Sequence, residues 1–149
     1  MKPSAFKLQK VAMMALAFAG CSDESIHIEN LRGPSVVWEH SNGLCSLVRA
    51  VDRDRSLWHD RGCEDGQINL DRIGKLSEEQ LSAINGAVSL FPPPSNVQCM
   101  TGLVHTFSRR EQDGGVNEWE VCAQSTNIGD LAGLPEPYLT VATVLNGRS

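Results

Sequence analysis

The first twenty residues constrain this chain most, because they predict the compartment in which the rest of it folds. Lys2, Lys7 and Lys10 precede an uncharged, mainly apolar run of ten residues, 11–20. A helix needs about 20 residues to cross a bilayer, so this run is too short to be a membrane span. A positive start followed by a short apolar core is typical of a secretory signal. We therefore expect residues 1–20 to be a signal peptide.

The end of the apolar run, Phe18-Ala19-Gly20-Cys21, resembles the lipobox of bacterial lipoproteins: a large apolar residue, two small residues and a cysteine. In that family the cysteine carries lipid and becomes the first residue of the mature protein. The resemblance therefore implies a membrane anchor at Cys21. It also implies a place in the cell envelope, with the outer membrane favoured because Ser22 is not the aspartate that retains enteric lipoproteins at the inner membrane. The alternative is an ordinary secretory signal that leaves Cys21 as a stray thiol.

If Cys21 carries lipid, four of the five cysteines remain: Cys45, Cys63, Cys99 and Cys122. An even set in an exported chain predicts two disulfides. Each pair falls at the ends of one predicted hairpin, so we expect Cys45 to pair with Cys63 and Cys99 with Cys122. Because none of the four stands in a C-x-x-C motif, a zinc ribbon or a thioredoxin-type site is not indicated.

Strand-like segments account for most of the chain behind the signal. They are residues 35–40, 44–51, 56–62, 97–107 and 116–124, and charged turns at 52–55 and 109–115 separate two pairs of them. Alternation along the last pair puts Cys122 on the face of Glu118 and Glu120, whereas Cys99 shares its face with apolar residues. This conflict predicts a β-bulge in that hairpin.

A helix over residues 78–90 is the clearest local prediction. Ser77 and Gln80 form a capping box, and an apolar stripe recurs at helical spacing: Leu81, Ile84, Val88 and Phe91. Three prolines, 92–94, end the helix. Near the C-terminus, Pro137 and Gly147 could bracket a second helix, although residues 140–144 also suit a strand.

These elements predict an α+β fold: a small antiparallel sheet of two disulfide-bridged hairpins, with one or two helices packed on one face. A length of 149 residues suggests a single domain. We assign residues 21–34 to a polar tether and 35–149 to the domain. Trp38, Trp58 and Trp119 are expected in its core.

Charge limits the possible partners. Beyond residue 20 there are 10 basic and 18 acidic residues, a formal charge of -8. This argues against nucleic-acid binding and favours an envelope protein with a neutral or basic surface, besides the membrane reached through Cys21. We expect the contact residues to lie in the two charged turns: Asp52, Arg53, Asp54, Arg55, Arg109 and Arg110.

Catalytic motifs are not apparent in the sequence. The histidines at positions 27, 40, 59 and 105 have no metal-binding spacing, and no motif indicates a cofactor or a metal. We therefore expect them to be surface or hydrogen-bonded histidines. Two hypotheses remain: a lipid-anchored envelope protein with a binding, inhibitory or assembly role, and a small envelope hydrolase whose histidine and acidic site forms only in the fold.

Overall fold

The computed structural model describes residues 24–60, 68–94, 96–99 and 103–147. Its strands are β1 (Ser25–His27), β2 (Ser35–Ser41), β3 (Ser46–Val51), β4 (Ser56–Asp60), β5 (Asn69–Lys75), β6 (Val104–Arg110) and β7 (Val116–Cys122). Its α-helices are α1 (Glu78–Ser89) and α2 (Tyr138–Leu145), and a short 3-10 helix (Ile28–Asn30) follows β1. Within the described ranges, no helix has the length and apolar character needed to cross a membrane.

The strands form one sheet in the order β1-β5-β4-β3-β2-β6-β7, and every neighbouring pair is antiparallel. The expected α+β class is therefore confirmed. The two predicted hairpins are not separate, because β2 pairs with β3 on one side and with β6 on the other. The Cys99–Cys122 disulfide is present, with the two Cα atoms 5.4 Å apart.

The predicted β-bulge between the last two strands is wrong. β6 and β7 pair in one continuous register, from Val104 opposite Cys122 to Arg110 opposite Val116. The strand expected over 97–107 begins only at Val104, so Cys99 precedes β6. The alternation of residues along the expected strand therefore could not show on which face of the sheet Cys99 lies. The sheet shifts its register instead between β4 and β5, beside Leu57 and Trp58.

The segment assigned to a tether belongs largely to the folded domain. β1 pairs with β5, which was also not predicted, and Leu31 is buried. Ile26 and Ile28 pack with Leu31 against the sheet face opposite the helices. β1 escaped prediction because three residues are too few to display alternation, and β5 because its pattern is broken at the register shift.

Both helices pack on the same face of the sheet. The capping box of Ser77 and Gln80 is formed in both directions, which confirms the predicted start of α1. Ile84 and Val88 are buried beneath α1, and Leu81 and Phe91 pack beside them. The C-terminal ambiguity is settled in favour of helix α2, which supplies Val141 and Leu145, among others, to the same core.

All three tryptophans are buried, as expected, but they divide between the two faces. Trp38 and Trp119 lie in the helix-side core, and Trp58 lies in the smaller core under Leu31. Since Val36 and Val37 also point to opposite cores, β2 is covered on both faces. β2 is therefore held rigidly, and so are the points at which neighbouring turns meet its two ends.

The proline-rich segment after α1 wraps the free edge of β7. On the helix side, the indole Nε1 of Trp119 donates to the Pro92 carbonyl at 2.7 Å. On the other side, the amide of Val97 donates to the Glu120 carboxylate at 3.1 Å, and the chain then reaches the disulfide. An edge strand is prone to pair with other chains, and this wrapping protects it.

Candidate functional site

The two turns predicted as contacts lie at the same end of the sheet. Val36, at the start of β2, is opposite Val51 on β3 and opposite Arg109 on β6. The 52–55 turn follows β3 and the 109–115 turn includes the last residues of β6, so they flank the start of β2 on both sides. We call this region the charged end; it comprises residues 32–35, 52–55, 72–75 and 109–115.

The 52–55 turn is a tight hairpin connection. The Asp52 amide donates to the Ser56 carbonyl at 3.2 Å, and the Arg55 amide donates to the Asp52 carbonyl at 3.1 Å. Arg55 has φ of 67°, in the left-handed region. A turn closed by one left-handed residue is a common three-residue hairpin loop, and it projects Arg53 and Asp54 into solvent.

Asp52 does not serve as the contact residue that its sequence position suggested. It is only 6% exposed. Its Oδ1 accepts from the amides of Asp54 at 2.8 Å and Ser56 at 3.0 Å, and its Oδ2 accepts from the Trp58 indole at 3.0 Å. These bonds occupy both carboxylate oxygens. Asp52 therefore holds the turn in shape while its neighbours remain exposed.

The segment before β2 holds the two turns against each other. The Arg53 amide donates to the Arg32 carbonyl at 3.4 Å. Gly33 lies so close to the other turn that a Cβ atom there would be 2.5 Å from the Glu111 carbonyl oxygen. Between the turns is a cavity of about 110 Å³, whose lining includes Arg53 and Arg109.

The 109–115 turn uses much of its own charge internally. Arg109 and Glu111 form an ion pair of 2.9 Å, and the Glu111 amide donates to the Gly115 carbonyl at 2.8 Å. Arg110 extends to the opposite face and donates from Nη1 to the Ile28 carbonyl at 3.3 Å. Arg110 therefore fastens the N-terminal segment to the sheet, which is a structural role the sequence did not indicate.

A second cleft, of about 420 Å³, lies on the other side of the 52–55 turn. Its charged lining residues are Glu24, Arg32, Asp52, Asp54, Arg72 and Lys75, and Trp58 is also part of its wall. Sequence reasoning missed this cleft because β1 and β5 supply Glu24, Arg72 and Lys75. No sequence signal could place those three residues beside the turn without the pairing of these strands.

Cations are concentrated at the charged end. The described part of the chain contains eight lysine and arginine residues, and seven of them belong to this region: Arg32, Arg53, Arg55, Arg72, Lys75, Arg109 and Arg110. The eighth, Arg49, pairs with Asp60 at 3.5 Å on the neighbouring strands β3 and β4. An acidic chain therefore has one markedly basic region.

The opposite end of the sheet contains a buried histidine pair. His40 and His105 face each other across β2 and β6, with ring centroids 4.3 Å apart. The Trp38 indole donates to His105 Nδ1 at 3.1 Å, and the Gly129 amide donates to His40 Nδ1 at 3.0 Å. The alternation of apolar residues along β2 and β6 could have revealed that both histidines point to the core.

Burial keeps these histidines neutral. The pKa of His105 is lowered to about 4, mainly by burial and also by the neighbouring His40, while Asp130 opposes the shift. Burial also lowers the pKa of His40, against the Ser125 backbone and Asp130. Both Nδ1 atoms accept structural hydrogen bonds, so neither atom is free to accept a proton from a substrate.

The remaining predicted site residues are the cysteines expected to form disulfides or to carry lipid. Cys99 and Cys122 are bonded to each other, as expected. Cys45 is disulfide-bonded, and its expected pairing with Cys63 stays a prediction because Cys63 lies outside the described residues. Cys21, the expected lipid attachment site, also lies outside them.

Metal-ligating side chains are not gathered anywhere in the described ranges: no group of three or more His, Cys, Asp or Glu residues there could hold an ion. The charged end is therefore the candidate site, on the strength of its converging turns, its two clefts and its cations. Comparison with protein-family models, curated proteins and solved structures finds no match to this chain.

Proposed function

We propose that this chain is a lipid-anchored cell-envelope protein that works by binding, inhibiting or assisting assembly rather than by catalysis. Its contact surface is the charged end of the sheet. The observation that carries this proposal is the convergence of the 52–55 and 109–115 turns on either side of the start of β2. Two turns that project from one rigid edge form a continuous surface, which is the usual arrangement of binding loops on a scaffold.

The internal bonds of the charged end support a binding role. Asp52 and Arg110 are committed to holding the turns and the N-terminal segment in place. Arg53 and Asp54 are exposed at the tip, in a geometry fixed from beneath. Preorganised side chains lose less conformational entropy on binding, so they contribute more to affinity than side chains on a flexible loop.

A protein partner approaching from solution meets the net charge of the whole molecule first. With a formal charge of -8 beyond residue 20, a neutral or basic partner surface associates faster than an acidic one. The exposed Asp113 of the 109–115 turn suits the same kind of partner. We therefore propose an envelope protein with a neutral or basic surface, and no nucleic acid.

The anchor is tested by Cys21→Ser. Several acyl chains hold a protein firmly because each buried methylene contributes about 0.8 kcal/mol. We expect metabolic labelling with an alkyne fatty acid to mark the parent chain and not the variant, and the variant to remain unprocessed or to leave the membrane fraction. A labelled, detergent-dependent Cys21→Ser protein would contradict the anchor.

The contact surface is tested with a photo-crosslinking amino acid placed in the native envelope. It replaces Gln112 or Asp113 at the charged end, or Leu44 at the opposite end as the matched control, since all three positions are exposed. We expect a discrete adduct from the first two positions and none from Leu44. Equal adducts from both ends would contradict the assignment of the surface.

A further inference from the structure

We propose that the side of the charged end around the 52–55 turn rests on the anionic headgroups of the membrane that holds the lipid anchor. This inference deepens the proposed function, and it depends on lipidation of Cys21. It names the membrane surface as the partner of the 420 Å³ cleft, and it leaves the 109–115 turn for a protein.

The length of the chain between the anchor and the cleft is the first argument. Glu24 lines the cleft and is only three residues from Cys21. Three residues span at most about 11 Å even when fully extended. The expected tether of residues 21–34 would have held the domain away from the bilayer, but β1 already begins at Ser25. A lipid on Cys21 therefore keeps the cleft close to the headgroups.

Among the described residues, the cations around the 52–55 turn are largely unpaired, whereas most of the carboxylates that line the cleft already have partners. Arg32, Arg53 and Lys75 are exposed, Arg55 is half-buried, and none of them forms an ion pair with a described residue. The anions of the cleft are mostly engaged. Asp52 accepts three hydrogen bonds and Glu24 lies 3.8 Å from Arg72, which leaves Asp54 as the exposed carboxylate of the cleft without such a partner.

Net charge does not oppose this orientation. The screening length at physiological salt is about 8 Å, so charges farther than this from the bilayer interact weakly with its surface. Negative groups at the opposite end, such as Asp60 and Glu120, lie several residues along their strands from the charged end. An anionic surface attracts the basic end and repels the acidic one, and both effects turn the domain the same way.

Lys75 provides a direct probe, because the other lysines of the chain are at positions 2, 7 and 10, within the expected signal peptide. The lipidated protein is reconstituted in vesicles of phosphatidylcholine, with or without phosphatidylglycerol, and treated with a water-soluble acetylating reagent. We expect anionic vesicles to slow acetylation of Lys75 at least about fivefold, and about 1 M salt to restore the rate. A Thr126→Lys variant reports the opposite end, where we expect no difference between vesicles.

Two double variants separate local charge from net charge. Arg32→Ser with Arg53→Ser removes one exposed cation from the lining of the cleft and one from the 52–55 turn beside it, and we expect it to lose most of the protection of Lys75. Thr126→Glu with Asn127→Asp changes the formal charge by the same amount at the opposite end, where both residues are exposed. We expect this control pair to keep the protection.

The outcomes separate this inference from the proposal on which it rests. A protein that floats with vesicles but whose Lys75 reacts equally in both lipids keeps its anchor and overturns the orientation, as does equal loss of protection in the two double variants. Protection by soluble polyglutamate and not by vesicles would assign the cleft to an acidic protein and also overturn it. A chain that fails to float contradicts the lipid anchor itself.

Discussion

The two ends of the sheet handle polar side chains in opposite ways. At the charged end, one buried carboxylate, Asp52, satisfies its hydrogen bonds internally and holds exposed cations around it. At the other end, the polar groups themselves are buried: His40 and His105 pack against each other in the core with their Nδ1 atoms occupied. The comparison teaches that a cluster of titratable residues marks a functional surface only where its charges remain available to a partner.

The largest expected effect tests whether Asp52 organises the charged end. Asp52→Ala leaves the buried Trp58 indole without an acceptor and removes two bonds from the turn, so we expect a loss of about 2–4 kcal/mol in the free energy of unfolding. Asp54→Ala, two positions along the turn and exposed, should change the free energy of unfolding by about 0.5 kcal/mol or less. Urea denaturation of both variants measures the difference, and equal values would remove the distinction between the two carboxylates.

We expect acid to lower the free energy of unfolding mainly through the buried pair of His40 and His105. The pKa of His105 is about 4 in the folded protein against 6.5 when unfolded, so above pH 6.5 the histidine is neutral in both states. Between pH 6.5 and 4 the unfolded chain binds a proton that the folded chain does not, and stability falls by roughly 2–3 kcal/mol. The lowered pKa of His40 acts in the same direction. Urea denaturation at pH 7, 5.5 and 4.5 follows this loss.

His105→Gln identifies the source of the acid effect. A glutamine carbonyl can still accept from the Trp38 indole, but the side chain no longer titrates. We expect a flatter dependence of stability on pH between 6.5 and 4 than in the parent. An unchanged pH dependence would place the acid sensitivity outside the histidine pair.

Next in size is the contact that holds the two charged turns together. Gly33→Ala places a Cβ against the Glu111 carbonyl, and forcing extra atoms into a packed region costs about 1–3 kcal/mol. Gly74→Ala is the matched control, because a Cβ there meets no atom within 4 Å and the change in the unfolded chain is the same. If thermal denaturation gives the same midpoint for both variants, the close approach at Gly33 does not matter for stability.

The sequence correctly predicted those features of local structure that depend only on residues close together in the chain. The start of α1 followed from Ser77 and Gln80, and the 52–55 turn followed from its charges between two apolar segments. The inward direction of the Asp52 carboxylate could not be predicted, because it depends on Trp58, whose ring lies on the face opposite the helices. An aspartate in a charged turn has the same local sequence whether it faces solvent or an indole.

The sequence did not reveal the 420 Å³ cleft, and the reason is different. The cleft requires β5 beside β4 and β1 beside β5. β1 pairs with a strand far along the chain, and β4 and β5 pair with a register shift next to Leu57. Pairing of this kind is set by the whole sheet and leaves little trace in any one segment. Two of the seven clustered cations, Arg72 and Lys75, join the others only through that pairing.

The smallest expected effect on stability is also the sharpest test of the comparison between the ends. Arg109→Gln breaks the 2.9 Å pair with Glu111, but both side chains are about a third or more exposed, so the loss should be about 0.5 kcal/mol or less. If the charged end is a contact surface, the same substitution should change the yield of the adduct formed from a crosslinker at Asp113. Arg49→Gln breaks the better buried pair with Asp60 away from this surface, and it should destabilise more while leaving the adduct intact. The opposite pattern, with the adduct sensitive to Arg49 and indifferent to Arg109, would mean that crosslinking reports stability and that the charged end is an ordinary solvated edge.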